Sequence, residues 1–202
     1  MTATRDFASR RLHSLLGIIP LGVFLFQHLT VNYFATRGPD AFNQAANFIS
    51  NLPYLYVLEW VIIYIPLLFH GIYGVYIAFQ AKNNVNRYGF FRNVMFMLQR
   101  VSGFITLIFL ALHIWQTRIQ VMFGEVVNYN MMNNILTNPG WLTVYIIGVL
   151  TVIFHFSNGL WSFCVSFGIT VTPRSQQVLT YVTLIVFITL AYIGLRAIFA
   201  FA

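Results

Sequence analysis

The stretch Glu59–Gln80, EWVIIYIPLLFHGIYGVYIAFQ, decides the class of fold. It carries one acid, Glu59, at its start and no other charged side chain. A helix of about 20 residues, rising about 1.5 Å per residue, crosses the hydrocarbon of a bilayer. This segment therefore reads as a membrane-spanning helix. It also holds a chemical puzzle, because His70 lies inside the apolar run, with Pro66 four residues before it and Gly71 and Gly74 after it. Imidazole is poorly suited to lipid, so something must hold it there.

The rest of the chain agrees with a membrane setting. Of 202 residues, 59% are hydrophobic and 7% charged, whereas a soluble domain carries about a quarter charged residues. Five runs are long and apolar enough to span: 12–35, 55–81, 94–118, 139–168 and 177–200. Glu59, Arg100, Arg118 and Arg196 are the only charges within them, each near an end. Strands with open edges cannot satisfy their backbone in lipid, so the expectation is one all-α, polytopic bundle over residues 1–202. The single cysteine, Cys164, excludes an internal disulfide and a multi-cysteine metal site, and reads as a packing residue. The N-terminal MTATRDFASRRLHS leads into a full-length apolar run without a small-residue cleavage site, and reads as the start of an uncleaved first span.

The net charge of +7 does not call for nucleic acid, since Lys and Arg collect on cytoplasmic loops. One side of the bundle holds Arg5, Arg10, Arg11, Lys82, Arg87, Arg92 and Arg174; the other holds Arg37, Arg118 and Arg196. Seven against three puts the N-terminus in the cytoplasm and the C-terminus outside. Tyr33, Tyr54, Tyr56, Trp60, Trp115 and Trp141 then mark the outer boundary, and Tyr88, Phe90 and Phe91 the inner one. The longer connections, 36–54 and 119–138, both face outside. The second can fold over the bundle as a lid or short helix, or run as a solvated connector.

His13, beside Arg10 and Arg11, reads as an interfacial side chain. Four histidines are deeper: His28, His70, His113 and His155, one on each of the first four spans and 42 or 43 residues apart. Spans one and three run outward, which places His28 and His113 roughly 8–10 Å below the outer end. Spans two and four run inward, which places His70 and His155 about 22–24 Å down. The four sort into two levels, an outer pair and an inner pair. Two neutral imidazoles on facing helices can grip one metal from opposite sides, and haem suits this best because its macrocycle is apolar. Zinc would want three or four ligands at each level. A proton relay would want carboxylates near the midplane, and the spans have none there. No span carries two deep histidines, unlike the cytochrome b of quinol:cytochrome c oxidoreductases. Gly17, Gly22, Gly71, Gly74, Gly103, Gly148 and Gly159 could give a macrocycle clearance, or could simply pack helices.

RRLHSLLGIIPLGVFLFQHL (10–29), LLFHGIYGVYIAFQAKNN (67–84), LQRVSGFITLIFLALHIW (98–115), IFHFSNGLWSF (153–163) and GITVTPRS (168–175) carry a resemblance over the whole chain. The sequence resembles the cytochrome b membrane-anchor subunit of succinate:menaquinone oxidoreductase, of the Bacillus-type succinate dehydrogenase. The resemblance implies two haem b groups, with His28 and His113 as axial ligands of the outer one and His70 and His155 of the inner one. It implies a bacterial cell membrane, a flavoprotein subunit and an iron–sulfur subunit docked at the cytoplasmic face, and a place in the tricarboxylic acid cycle. Electrons would pass from the iron–sulfur subunit through the inner and then the outer haem to menaquinone. The chain would be an electron-transfer subunit, not an enzyme by itself. A related fumarate reductase cytochrome, or a cofactor-free scaffold or transporter, are the alternatives.

Three further positions carry expectations. Arg100, near the cytoplasmic end of the third span, is suited to a haem propionate. Glu59 could exchange protons with a quinone near the outer pair, or simply face water as an interfacial acid; Gln27 and Asn32 are polar neighbours of His28. Pro66 cannot donate to the Ile62 carbonyl, so a kink is expected there. Its own carbonyl is the expected acceptor for the His70 ring.

Overall fold

Lipid offers the backbone no partners, so each crossing segment must close its hydrogen bonds within itself. The computed structural model describes residues 3–82 and 84–202, and among these there are helices and no strands. The first span joins α1 (Ala3–Ile18) to α2 (Pro20–Tyr33) and ends in a 3₁₀ turn, Phe34–Arg37. Pro20 has no N–H for the Leu16 carbonyl, but the ladder continues on both sides, Ile19 N–H to Leu15 O at 2.9 Å and Val23 N–H to Ile19 O at 3.0 Å. The apolar helix covers Arg5–Arg37, starting well before the expected residue 12.

The short α3 (Pro39–Ser50) follows. The second span comprises α4 (Leu55–Leu58), a π-helical stretch Glu59–Tyr64, and α5 (Ile65–Gln80). Pro66 sits in the first turn of α5, where a missing N–H is tolerated. Its disturbance appears one turn earlier, as the widened π ladder in which Ile65 N–H reaches Trp60 O. The third span is α6 (Phe91–Ile114), a second π-helical stretch Trp115–Ile119, and the single turn α7 (Gln120–Met122). After α8 (Tyr129–Leu136) come α9 (Pro139–Ser166) and α10 (Pro173–Phe201), the fourth and fifth spans. The starts of both have chemical causes. Asn138 caps the Gly140 and Trp141 N–H groups ahead of Pro139, and Thr172 with Ser175 forms a capping box around Pro173. The box starts α10 four residues before the expected 177.

α9 is the central element and packs on α6 and α10; α1 lies against α5, and α2 against α10. Leu29, Ile153 and Leu190 form a small buried core. The outer faces carry exposed apolar side chains such as Ile72, Phe79, Ile108 and Ile185, the belt expected where lipid replaces water.

The two ends differ. The basic end has the start of α1 and the connecting residues 84–90 and 167–172. The capped end is covered by α3 and α8, whose Phe42, Ala46 and Leu136 bury against Tyr145 and Phe201. The Tyr129 N–H donates to Asn43 Oδ1 at 2.8 Å, Tyr129 Oη to Ala200 O at 2.5 Å, and Asn133 Nδ2 to Phe201 O at 2.7 Å. The last two satisfy carbonyls that the end of α10 would otherwise leave unpaired. Of the two readings for 119–138, the structure has the folded cap.

Candidate metal centres

Helix direction brings the histidines together in two pairs. His28 of α2 and His113 of α6 have ring centroids 5.8 Å apart, with planes at 77°. His70 of α5 and His155 of α9 are 6.1 Å apart, with planes at 87°. A single iron between two imidazoles, bonded at about 2 Å on each side, puts the ring centres about 6 Å apart. Both pairs match that spacing.

The ring nitrogens divide by role. His70 Nδ1 lies 2.9 Å from the His13 carbonyl. His155 Nδ1 lies 3.1 Å from Gln99 O, 3.2 Å from Ser102 Oγ and 3.3 Å from Gln99 Nε2. His113 Nδ1 lies 3.3 Å from Tyr145 Oη. An imidazole that donates from Nδ1 leaves the lone pair of Nε2 for a metal. Among the described residues none of the four Nε2 atoms is hydrogen-bonded. Nor do three His, Cys, Asp or Glu side chains gather at any one place among them, so neither pair has the third ligand a zinc site wants. Paired, half-buried imidazoles between apolar helices fit haem.

Two glycines let the His70 and His155 rings approach neighbouring helices. A Cβ on Gly17 would run into the His70 ring, and one on Gly103 would lie 3.1 Å from His155 Cε1. At both positions a histidine ring takes the space a Cβ would fill. Gly71 faces Leu107 at ordinary contact distance, Gly74 faces His13 Nε2, and Gly22 and Gly148 admit Phe156 and Phe109.

Two expectations are corrected, both at histidines. The acceptor for His70 is the His13 carbonyl, not that of Pro66. The close approach of α1 at Gly17 brings a carbonyl with a spare lone pair to the ring. His13 itself is no interfacial side chain, because its ring stacks on His70 at 4.1 Å and 7°. Arg100 turns along its own helix, donating to Phe96 O at 2.7 Å with its guanidinium 3.4 Å over the Phe96 ring. Glu59 is held by Arg118 Nη2 at 2.6 Å, and Arg118 Nε reaches Tyr64 Oη at 3.3 Å. Asn32 donates to His28 O at 2.8 Å.

Gln99, Asn158 and Tyr145 are residues that sequence reasoning passed over. Gln99 Nε2 donates to His155 O at 3.0 Å, and its Oε1 accepts from Asn158 Nδ2 at 2.7 Å. Uncharged amides and a phenol inside apolar runs gave no periodic signal, although a buried polar group in lipid always needs a partner.

Five apolar spans around two edge-on imidazole pairs define a polytopic membrane protein suited to holding haem and carrying electrons. Residues 80–195 match the family of succinate dehydrogenase/fumarate reductase transmembrane subunits. The whole chain is 61% identical, over 201 residues covering 100% of both proteins, to the succinate dehydrogenase cytochrome b558 subunit of Bacillus subtilis (strain 168). The chain belongs to this family of transmembrane subunits. It is an electron-transfer subunit of the plasma membrane, crossing it several times, and not a catalytic chain by itself. Membership implies haem b, and flavoprotein and iron–sulfur subunits as neighbours.

Proposed function

We propose that this chain holds two haem b groups, with His28 and His113 as axial ligands near the capped end and His70 and His155 as axial ligands near the basic end. The observation that carries this reading is the spacing of the two ring pairs, 5.8 and 6.1 Å. When bound, two such groups supply one-electron carriers between the iron–sulfur subunit and menaquinone. The chain's own residues do the rest: they engage Nδ1 of His70, His113 and His155, exclude water with the apolar belt, and set the order of the pairs along the membrane normal. The basic end faces the cytoplasm and receives the flavoprotein and iron–sulfur subunits of a succinate dehydrogenase. Arg100 is the proposed partner of a propionate near that end, leaving Phe96 O to meet it.

Menaquinone is assigned to the capped end, beside Glu59, Arg118 and Tyr64. There a carboxylate that is partly exposed can exchange protons while a guanidinium donates to a quinone oxygen.

Reduced-minus-oxidised spectra of membranes carrying the assembled complex test the ligand assignment. His28→Ala and His113→Ala should each remove one b-type component, and His70→Ala and His155→Ala the other. Loss of the same component from His28→Ala and His70→Ala overturns the pairing. Glu59→Gln should slow quinone reduction severalfold with both spectral components intact, and unchanged turnover retires the quinone role.

A further inference from the structure

The four proposed ligands are not supported alike. Both inner rings face backbone carbonyls from Nδ1, while His113 faces a phenol. Tyr145 belongs to α9, the helix that carries His155, yet its oxygen reaches across to the ring on α6. It is 3% exposed, so its hydroxyl must find partners within the protein.

The direction of its hydrogen bonds follows from the number of protons. A phenol has one proton to donate, and Tyr145 directs it to Gln116 Oε1 at 3.1 Å, an oxygen that can only accept. The contact with His113 must then run the other way, from Nδ1–H to the phenol oxygen at 3.3 Å. Gln116 lies in the π-helical stretch Trp115–Ile119, within one turn of His113, so the third span supplies both ends of the hydrogen-bond chain and α9 the middle. The Tyr145 ring is fixed edge-on against Phe109 at 5.3 Å and His113 at 5.7 Å.

We propose that Tyr145 is the positioning residue of the outer metal centre. It takes the Nδ1–H of His113 because Gln116 holds its own proton, and so keeps His113 in the tautomer that presents Nε2. A donated Nδ1–H makes an imidazole a better electron donor and favours the oxidised metal. Removing the acceptor should raise the potential of that centre. The inference rests on the assignment of His28 and His113 to one haem.

The test uses the assembled complex in native membranes, with potentiometric titration of each b-type component and low-temperature EPR of the low-spin ferric signals. Tyr145→Phe keeps the ring and its packing and removes only the oxygen. One ordinary hydrogen bond corresponds to about a fivefold change in the oxidised-to-reduced ratio, or about 40 mV at 59 mV per tenfold. The expected result is a rise of that size in the component that His113→Ala abolishes, with a shifted EPR g-value and the other component unmoved. Gln116→Leu frees the phenol proton to compete and should move the same component in the same direction by less. Loss of the outer component alone in Tyr145→Phe also supports the proposal. If Tyr145→Phe loses both haems, Gln116→Leu decides: a shift confined to the outer component supports the proposal, and none overturns it. An unmoved outer component in Tyr145→Phe, at full haem content, overturns it, as does an equal shift in both. If His113→Ala leaves both components intact, the ligand assignment itself has failed.

Discussion

At the scale of single residues, the four deep histidines were legible because two simple facts combine. They recur at 42 or 43 residues, and successive spans reverse direction, so alternate histidines share a depth. What holds each ring was not legible. His70 meets the carbonyl of His13, 57 residues away, and His155 that of Gln99, 56 away, and no local pattern announces a partner at that range. The expected Pro66 acceptor followed a rule for rings that bond within their own helix, and the close approach of α1 prevailed over it. The two approach glycines give a direct prediction. Gly17→Ala places a methyl in the His70 ring, and Gly103→Ala places one 3.1 Å from His155 Cε1. Either must turn its ring or push the neighbouring helices apart, because packed interiors absorb a methyl group poorly. Each variant should lose or broaden the His70/His155 spectral component and retain the other, as read in difference spectra of membranes. Gly71→Ala, whose Cβ meets Leu107 at 3.6 Å, should leave both components intact and serves as the control.

At the scale of elements, existence and type of the five spans were readable from length and apolarity. Their interruptions were not. The expected proline kink emerges as a π-helical stretch one turn earlier, over Glu59–Tyr64, and a second such stretch, Trp115–Ile119, has no proline at all. The two are joined near the capped end by the ion pair of Glu59 with Arg118. The carboxylate retains 16% of its side-chain exposure and the guanidinium 32%, so the pair is neither dry nor freely solvated. A charge-assisted bond in such a place contributes about 1.5–3 kcal/mol, less solvent screening. Arg118→Met should lower the thermal unfolding midpoint of the detergent-solubilised complex by a few degrees. Adding Glu59→Gln to Arg118→Met should cost little more, because the first change has already broken the bond. A thermal double-mutant cycle measures that coupling, and strictly additive losses would show that the pair does not join the two spans.

At the scale of the whole molecule, charge asymmetry and the cap make one consistent picture. Arg5, Arg10, Arg11, Lys82, Arg87 and Arg174 lie at the end with short connections. The opposite end is closed by α3 and α8, with Phe42, Ala46 and Leu136 sealing it. Cytoplasmic loops rich in Lys and Arg fix orientation by resisting translocation, so the basic end should face the cytoplasm. An iron–sulfur partner would then meet the end near His70 and His155, and a quinone would meet the end near His28 and His113. The orientation can be measured without reference to electron flow. Cys164 is the sole cysteine, and Cys164→Ala removes the native thiol from consideration. In that background, Asn86→Cys places a thiol in the connection after α5, and Glu125→Cys places one on the exposed approach to α8. A membrane-impermeant maleimide added to intact spheroplasts should label the thiol at 125 and spare that at 86. Inverted vesicles should give the reverse. Labelling at 86 in spheroplasts would turn the bundle over, exchange the surfaces offered to quinone and to the soluble subunits, and require the pair at His28 and His113 to receive electrons first.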